Sequence, residues 1–338
     1  MDKRIRELYN DSILDEALAR YGIAKDAVQL LDGFESYIYE YRKDGERYVL
    51  RVSHSLHRTS DATQGELEWL NYLVDGGVPA ARAVLSERGN LVEPIPGADG
   101  SHFTAVSFEW AQGDHATREQ WQSGLPLRLG QIVGRMHALT KDFFPSEPRF
   151  KRHEWVDDYP EGFAERYLSP DDGVVVGKLD QLLAHFYELP KDRDSYGLIH
   201  VDVHGGNFFV DDEGQITLFD FDDCQYAWFA YDIAMALFYA ISHDCVSEED
   251  VAQAKGFFEQ FMQGYRRENE IDPQWLAQIP YFLKLREIDL YIIIHRSLDI
   301  DDLDPWCASY MKDRRHKIAH DVPYVVLDWE KYAEGIGG

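Results

Sequence analysis

Residues 198–223 read L-I-H-V-D-V-H-G-G-N-F-F-V-D-D-E-G-Q-I-T-L-F-D-F-D-D, and the fold turns on how this stretch divides. An apolar strand end runs into a polar loop carrying His200, Asp202, His204 and Asn207. A short strand, Phe208 to Val210, follows, then an Asp-Asp-Glu-Gly turn, then a second, alternating strand that ends in Asp220-Phe221-Asp222-Asp223. A hairpin of this kind can hold the polar loop and the acidic cluster face to face. No other segment is so dense in proton- and metal-handling side chains.

Outward on the N-terminal side, the pattern is of strands. Between Val28 and Val52 two β-rich runs flank Asp44-Gly45, a strong hairpin signal, and Gly33 marks an earlier turn, so three antiparallel strands are expected. A helix is expected over residues 2–21, with Gly22 as its C-cap, and another over 61–75, ended by Gly76-Gly77. On the second helix Glu66 shares a side with Leu70 and Leu73, whereas Glu68 points the opposite way, so Glu66 is the carboxylate that could reach the sheet. Two further strands, near Ala83 to Leu85 and Phe103 to Trp110, complete a small α+β unit. After Gly113 the pattern becomes mostly helical: Leu125 to Thr140 is amphipathic, Gly177 to Leu189 reads as a helix, Ser247 to Asp250 forms a capping box, and Asp272-Pro273 starts a further turn.

Composition excludes several classes of function. The chain has 338 residues, 45% of them apolar, which is enough to bury a large core. A net charge of −27 with no run of Lys and Arg speaks against a nucleic-acid partner and suits a neutral or cationic small substrate. The longest apolar runs fall short of the roughly 18 residues of a membrane span, and the N-terminus has no apolar signal core, so a soluble cytoplasmic protein is expected, as a monomer or homodimer. Cys224, Cys245 and Cys307 are odd in number and far apart, which fits reduced, structural thiols.

The spacing His200-x-Asp202, four residues, Asn207, then Asp220-Phe221 after a hairpin matches the catalytic loop and metal-binding segment of protein kinase-like phosphotransferases. Moving a γ-phosphoryl group needs a carboxylate to orient the acceptor hydroxyl and take its proton, and oxygen ligands to hold Mg²⁺ against the triphosphate. Asp202 is the expected base; Asn207 and Asp220 are the expected ligands. A competing reading takes His200, Asp202, His204, Asp220 and Asp222 as a transition-metal site of a hydrolase, although Asn207 is a poor ligand for such a metal. A nucleotide-binding pseudokinase is a third reading, disfavoured because Asp202, Asn207 and Asp220 are all present.

The form H-x-D-x-H-x-x-N, then D-F-D-D, then D-I-A at Asp232 to Ala234 resembles the aminoglycoside phosphotransferase and choline kinase superfamily, and within it the bacterial homoserine kinase-like and stress-response kinase-like members. Y-V-L-R-V, G-E-L-E-W-L, F-E-W, L-G-Q-I-V-G-R-M-H-A-L and F-L-K-L-R-E-I extend the resemblance over about residues 26–300. It implies an α+β, bilobal protein kinase-like fold, with an antiparallel-sheet N-lobe at residues 1–110 and a mostly helical C-lobe at 111–338. It implies ATP and Mg²⁺ as cofactors, Arg51 on the phosphates or paired with Glu66, Gly33 to Ser36 as the phosphate-covering turn, and Glu109 to Ala111 as the adenine hinge. Asp222 is expected near the metal, His200 as a support of the loop, and Asp232 as a structural partner of the loop backbone. The acceptor is expected to be a small molecule bearing a hydroxyl and an amine, such as an amino sugar, amino alcohol or homoserine, held by residues 150–170 and 280–300; a protein Ser or Thr is the alternative.

Overall fold

The computed structural model describes residues 3–31, 33, 35–241 and 247–335; Cys245, and Phe34 of the expected phosphate-covering turn, lie outside the described residues. In chain order come α1 (Lys3–Leu8), α2 (Asp11–Tyr21), β1 (Val28–Leu30), β2 (Tyr37–Lys43), β3 (Glu46–His54), α3 (Ser60–Asp75), β4 (Ala83–Val84), β5 (Glu93–Pro96) and β6 (His102–Glu109). The helices α4 (Arg118–Gln122), α5 (Leu125–Thr140) and α6 (Gly173–Tyr187) follow. Four short strands, β7 (Tyr196–Ile199), β8 (Phe208–Val210), β9 (Ile216–Leu218) and β10 (Gln225–Trp228), lead into α7 (Phe229–Ala240), α8 (Glu248–Tyr265) and α9 (Ile279–Ser297). Three short helices, α10 (Pro305–Met311), α11 (Arg314–Ala319) and α12 (Trp329–Ala333), end the described chain.

The chain makes two compact units. The first takes Met1–His115, Asp142–His153 and Phe208–Asp222; the second takes Ala116–Lys141, Glu154–Asn207 and Asp223–Gly338. In the first, the sheet runs β1-β2-β3-β6-β4, with β5 also paired to β6, and every pairing is antiparallel. Asp44 and Gly45 both have positive φ, 53° and 89°, the backbone that a two-residue hairpin needs to follow strand twist. The register sets Arg51 of β3 between Ile38 and Val106.

Two local features depart from the sequence reading. The single helix expected over residues 2–21 is α1 and α2, because the Asn10 side chain accepts the Ser12 N–H at 3.0 Å and starts a new helix instead of continuing the old one. The strand β5 is additional: Pro94 and Pro96 suppress the strand signal, yet both tolerate its place against β6 alone. Gly22 caps α2 at φ 64°, as read from the sequence.

The hairpin β8–β9 joins the first unit through backbone bonds. Leu218 N–H donates to the Pro79 carbonyl at 2.9 Å and its own carbonyl accepts from Ala81 at 2.8 Å, while Val210 and Asp114 exchange bonds of 2.8 and 3.2 Å. Gly113, at φ 95°, makes this possible, since a Cβ there would sit on the Val210 carbonyl.

In the second unit β7 pairs antiparallel with β10, and α7 is buried from Phe229 to Phe238. Helices α5 and α8 approach closely at two glycines: a Cβ on Gly130 would strike the Phe261 carbonyl and one on Gly264 the Leu127 carbonyl. Among the described residues no helix is long and apolar enough to cross a membrane. Replacing Gly130 with Val should therefore destabilise the protein by about 1–3 kcal/mol in denaturant unfolding. Gly256 on α8 faces open space, so Gly256→Ala should be neutral or stabilise by about 0.4–1 kcal/mol in the same measurement.

Candidate active site

In the second unit β7 ends at Ile199 and the chain enters the loop 200–207. Its backbone is anchored by Asp232, in the first turn of α7: Oδ2 accepts the His200 N–H at 3.0 Å and Oδ1 the Val201 N–H at 2.6 Å. Between these bonds Val201 sits at φ 73°, a conformation that a β-branched residue adopts only when its surroundings enforce it. Asp232 is fully buried, and a lone buried carboxylate would be costly; its third donor is His137 Nε2, at 3.1 Å. Because Asp232 only accepts, the Nε2 of His137 carries the proton and Nδ1 accepts from the Tyr265 hydroxyl at 2.8 Å. Asn269 Nδ2 donates in turn to that hydroxyl at 2.8 Å. Burial holds the His137 ring below its ordinary pKa, against the opposing pull of Asp232.

Directly after the strained valine, Asp202 meets three partners. Its Oδ1 lies 2.9 Å from Arg286 Nη2, and its Oδ2 lies 3.1 Å from His204 Nε2 and 3.0 Å from Asn207 Nδ2. Burial works against its charge, but His204 and Arg286 outweigh that and hold the carboxyl well below the usual carboxylate range. The Asn207 amide nitrogen also donates to the Asp202 carbonyl at 3.0 Å, which turns its carbonyl oxygen, the end able to ligate a hard cation, away from Asp202. Arg286 of α9 is itself steadied by the Tyr239 hydroxyl, 3.0 Å from its Nε. His200 is fully buried, with Nδ1 3.4 Å from the Asp202 N–H, so it lies inside the loop.

The first unit gathers a different cluster. Arg51 Nη2 lies 2.7 Å from Glu66 Oε2, and Nη1 lies 3.7 Å from Asp222 Oδ1. The other oxygen of Asp222 is 2.5 Å from His57 Nε2, and its main-chain carbonyl accepts from Arg152 at 2.6 Å and Arg58 at 3.4 Å. Burial raises the pKa of Asp222, but Arg51 and His57 overcome it and hold the carboxyl well below the usual range. Phe221 packs edge-on against Trp69 of α3, with ring centres 5.6 Å apart, while its neighbour Asp220 is exposed, at φ 62°. Gly33 lies against the Ser36 carbonyl, where a Cβ would not fit, and Ser36 is buried. Glu109 ends β6 with its N–H on the Arg82 carbonyl at 2.8 Å, and Ala111 is buried two residues on.

The structure thus brings together Asp202, His200 and Asn207 in the second unit, and Arg51, Glu66 and Asp222 in the first. Among the described residues no group of three or more His, Cys, Asp or Glu side chains is placed to hold a metal ion. Sequence reasoning did not find His57, Arg152, His137, Tyr239 or Tyr265 as partners of these groups. Only His137 carried a signal, as part of the quoted M-H-A-L segment; the others reach their partners across long sequence separations that no local pattern encodes.

Comparison with known proteins accords with this loop. The family model "Phosphotransferase enzyme family" matches residues 26–271. The amicoumacin kinase of Bacillus subtilis (strain 168) is 37% identical over 97% of each chain. The solved amicoumacin kinase hAmiN, in complex with AMP-PNP, Ca²⁺ and Ami, is 36% identical and covers 98% of this chain and 99% of its own, with a TM-score of 0.91. A microcompartment-associated aminopropanol kinase shares the fold at 22% identity, with a TM-score of 0.71 over 97% of this chain and 99% of its own. The chain belongs to the phosphotransferase enzyme family, and its antiparallel-sheet and helical parts have the kinase-like fold of that family. It is an enzyme, a kinase.

The buried His137 has a consequence for stability. Its folded pKa lies below its unfolded value of about 6.5, so protonation favours the unfolded chain: the contribution is present above that value and is lost as pH falls through it. The unfolding midpoint should fall between pH 7 and pH 5.5, and His137→Gln should flatten that dependence while lowering stability at pH 7 by about 1–3 kcal/mol.

Proposed function

We propose that the chain transfers the γ-phosphoryl group of ATP to a hydroxyl of a small molecule, with Asp202 as the base. Asn207 and Asp220 would hold the divalent cation. The residue types fit it, since both offer hard oxygen donors and the Asn207 amide nitrogen is occupied by Asp202. When bound, Mg²⁺ supplies neutralisation of the charge that develops on the triphosphate.

The chain's own residues orient the acceptor. In the transfer the acceptor oxygen forms a bond to the γ-phosphorus, the bond to the ADP oxygen breaks, and the hydroxyl proton passes to a carboxylate oxygen of Asp202. A carboxylate held as low as Asp202 is a weak base, so its main work is to hold the hydroxyl in line while bond making runs ahead of proton transfer; that suits a loose transition state. Arg286 occupies Oδ1 of Asp202 without acceptor, and an incoming hydroxyl would have to share or displace it. Glu66 and Asp222 fix Arg51 from two sides, which makes it a rigid cation on the sheet, suited to the nucleotide phosphates.

The observation that carries this reading is Asp202 presented on a strained loop, with its oxygens ordered by His204, Asn207 and Arg286, in a chain of this family. The names of the relatives support a small-molecule acceptor over a protein, and amicoumacin is the first to assay. Amicoumacin should stimulate ADP release by the wild type in the presence of ATP and Mg²⁺. Asp202→Asn should lower that rate by about 10²–10⁴-fold while AMP-PNP binding, followed by calorimetry, stays within about twofold. Transfer by Asp202→Asn at the wild-type rate would refute the role of Asp202. Asp220→Ala should abolish turnover and weaken the dependence of AMP-PNP binding on Mg²⁺.

A further inference from the structure

Arg152 is 2% exposed and belongs to the first unit. Its Nη1 donates to the main-chain carbonyl of Ala62 at 3.1 Å and its Nη2 to that of Asp222 at 2.6 Å. A buried guanidinium is costly unless its N–H groups are bonded, and here two of its nitrogens hold main chain. The planar fork fixes both acceptors in direction and separation, which an ammonium on a flexible stem would not do. Ala62 lies in the first turn of α3, one turn before Glu66, the partner of Arg51, and Asp222 lies two residues after Asp220.

The segment that carries Arg152 is shaped to lie against this helix. Beside the 3-10 turn Pro148–Phe150, an added Cβ on Gly65 of α3 would sit 1.9 Å from the Phe150 carbonyl. A side chain at position 65 would push the segment, and Arg152 with it, off the helix. Asp220 is exposed, at φ 62°, so the direction of its carboxylate depends on the backbone that carries it. Upstream, Leu218 is tied to Pro79 and Ala81 by backbone bonds of 2.9 and 2.8 Å. Downstream, Phe221 packs on Trp69, and the Asp222 carbonyl accepts from Arg152 and, at 3.4 Å, from Arg58. The left-handed Asp220 is held between two fixed points, and Arg152 supplies the second.

We propose that Arg152 is a positioning residue for the divalent cation: by tying the Asp222 carbonyl to α3 it sets where Asp220 presents its carboxylate. The proposal rests on the phosphotransfer reading above, in which Asp220 is a ligand, and adds a group that acts only through the Asp222 backbone. Mg²⁺ is exacting about the placement of its oxygen ligands, and a residue that orients a ligand is typically worth about 10–100-fold in metal affinity. Loss of Arg152 therefore weakens the hold on the cation and leaves the nucleotide's own contacts in place.

The test separates cation from nucleotide. AMP-PNP binding to the full chain is followed by calorimetry, once in EDTA and once across a Mg²⁺ titration. Arg152→Met keeps the aliphatic stem and loses both bonds. It should raise the Mg²⁺ concentration for half-maximal stimulation of AMP-PNP binding by about 10–100-fold, while the affinity in EDTA stays within about twofold of the wild type. A merely structural role would weaken both alike. An unchanged Mg²⁺ midpoint in the folded variant, or an equal loss in the two arms, would overturn the proposal. Arg152→Lys keeps the charge but reaches one carbonyl at a time, and should show the same split at smaller size; if Arg152→Met does not fold, absence of the split in Arg152→Lys overturns the proposal instead. Asp220→Ala checks the reading beneath it. If that variant keeps the wild-type Mg²⁺ dependence, Asp220 is no ligand and the proposal falls with it; if it loses the dependence and Arg152→Met does not shift it, the positioning role alone fails.

Discussion

The loop 200–207 depends on one buried carboxylate. Asp232 holds two successive backbone N–H groups, at His200 and Val201, and this fixes a valine in a left-handed conformation that it would not keep alone. Charge-assisted bonds of this kind are short and strong, and the 2.6 Å bond to the strained residue is the shorter of the two. The arrangement is stable only because the carboxylate is itself satisfied. His137 gives it a third donor without adding a second buried charge, and Tyr265 and Asn269 fix the tautomer that lets it do so. Packing of α5, α7 and α8 thereby determines where Asp202 points, although none of those helices carries Asp202.

A parallel logic runs through the sheet unit. The chain has a net charge of −27, yet Arg51, His57, Arg58 and Arg152 all gather on Asp222, by side chain or by main-chain carbonyl. The arginine at position 51 is suited to this. A guanidinium can address two carboxylates in different directions at once, Glu66 at 2.7 Å and Asp222 at 3.7 Å, where an ammonium offers a point charge on a flexible stem. Burying an ion pair brings little net stability, so the gain is better sought in the fixed direction of the cation.

Much of this was legible in the sequence because the informative features are local. The hairpin β8–β9 after the 200–207 loop, the Asp44-Gly45 turn, the Ser247 cap and the side of α3 on which Glu66 falls all depend on residues a few positions apart, and each is where the pattern put it. What escaped is non-local or masked by residue type. Two prolines hid β5, and Asn10 broke a helix whose apolar spacing ran on past it. Arg152 reaches Asp222 from a segment with no regular structure of its own, and Tyr239 reaches Arg286 from the end of a helix that is apolar or aromatic apart from Asp232.

The most direct test of the dependence on Asp232 is amide hydrogen exchange at His200 and Val201, resolved by NMR or by fragment mass spectrometry. With both N–H groups bonded to a buried carboxylate, they should exchange among the slowest amides outside the helices and strands, and Asp232→Asn should speed Val201 most, because the amide oxygen is drawn to the two donors His200 and His137 and its nitrogen, which cannot accept, then faces Val201. Exchange at His200 and Val201 as fast as at the exposed Gly206 of the same loop would contradict the account, because the backbone that presents Asp202 would then not be held by Asp232 at all.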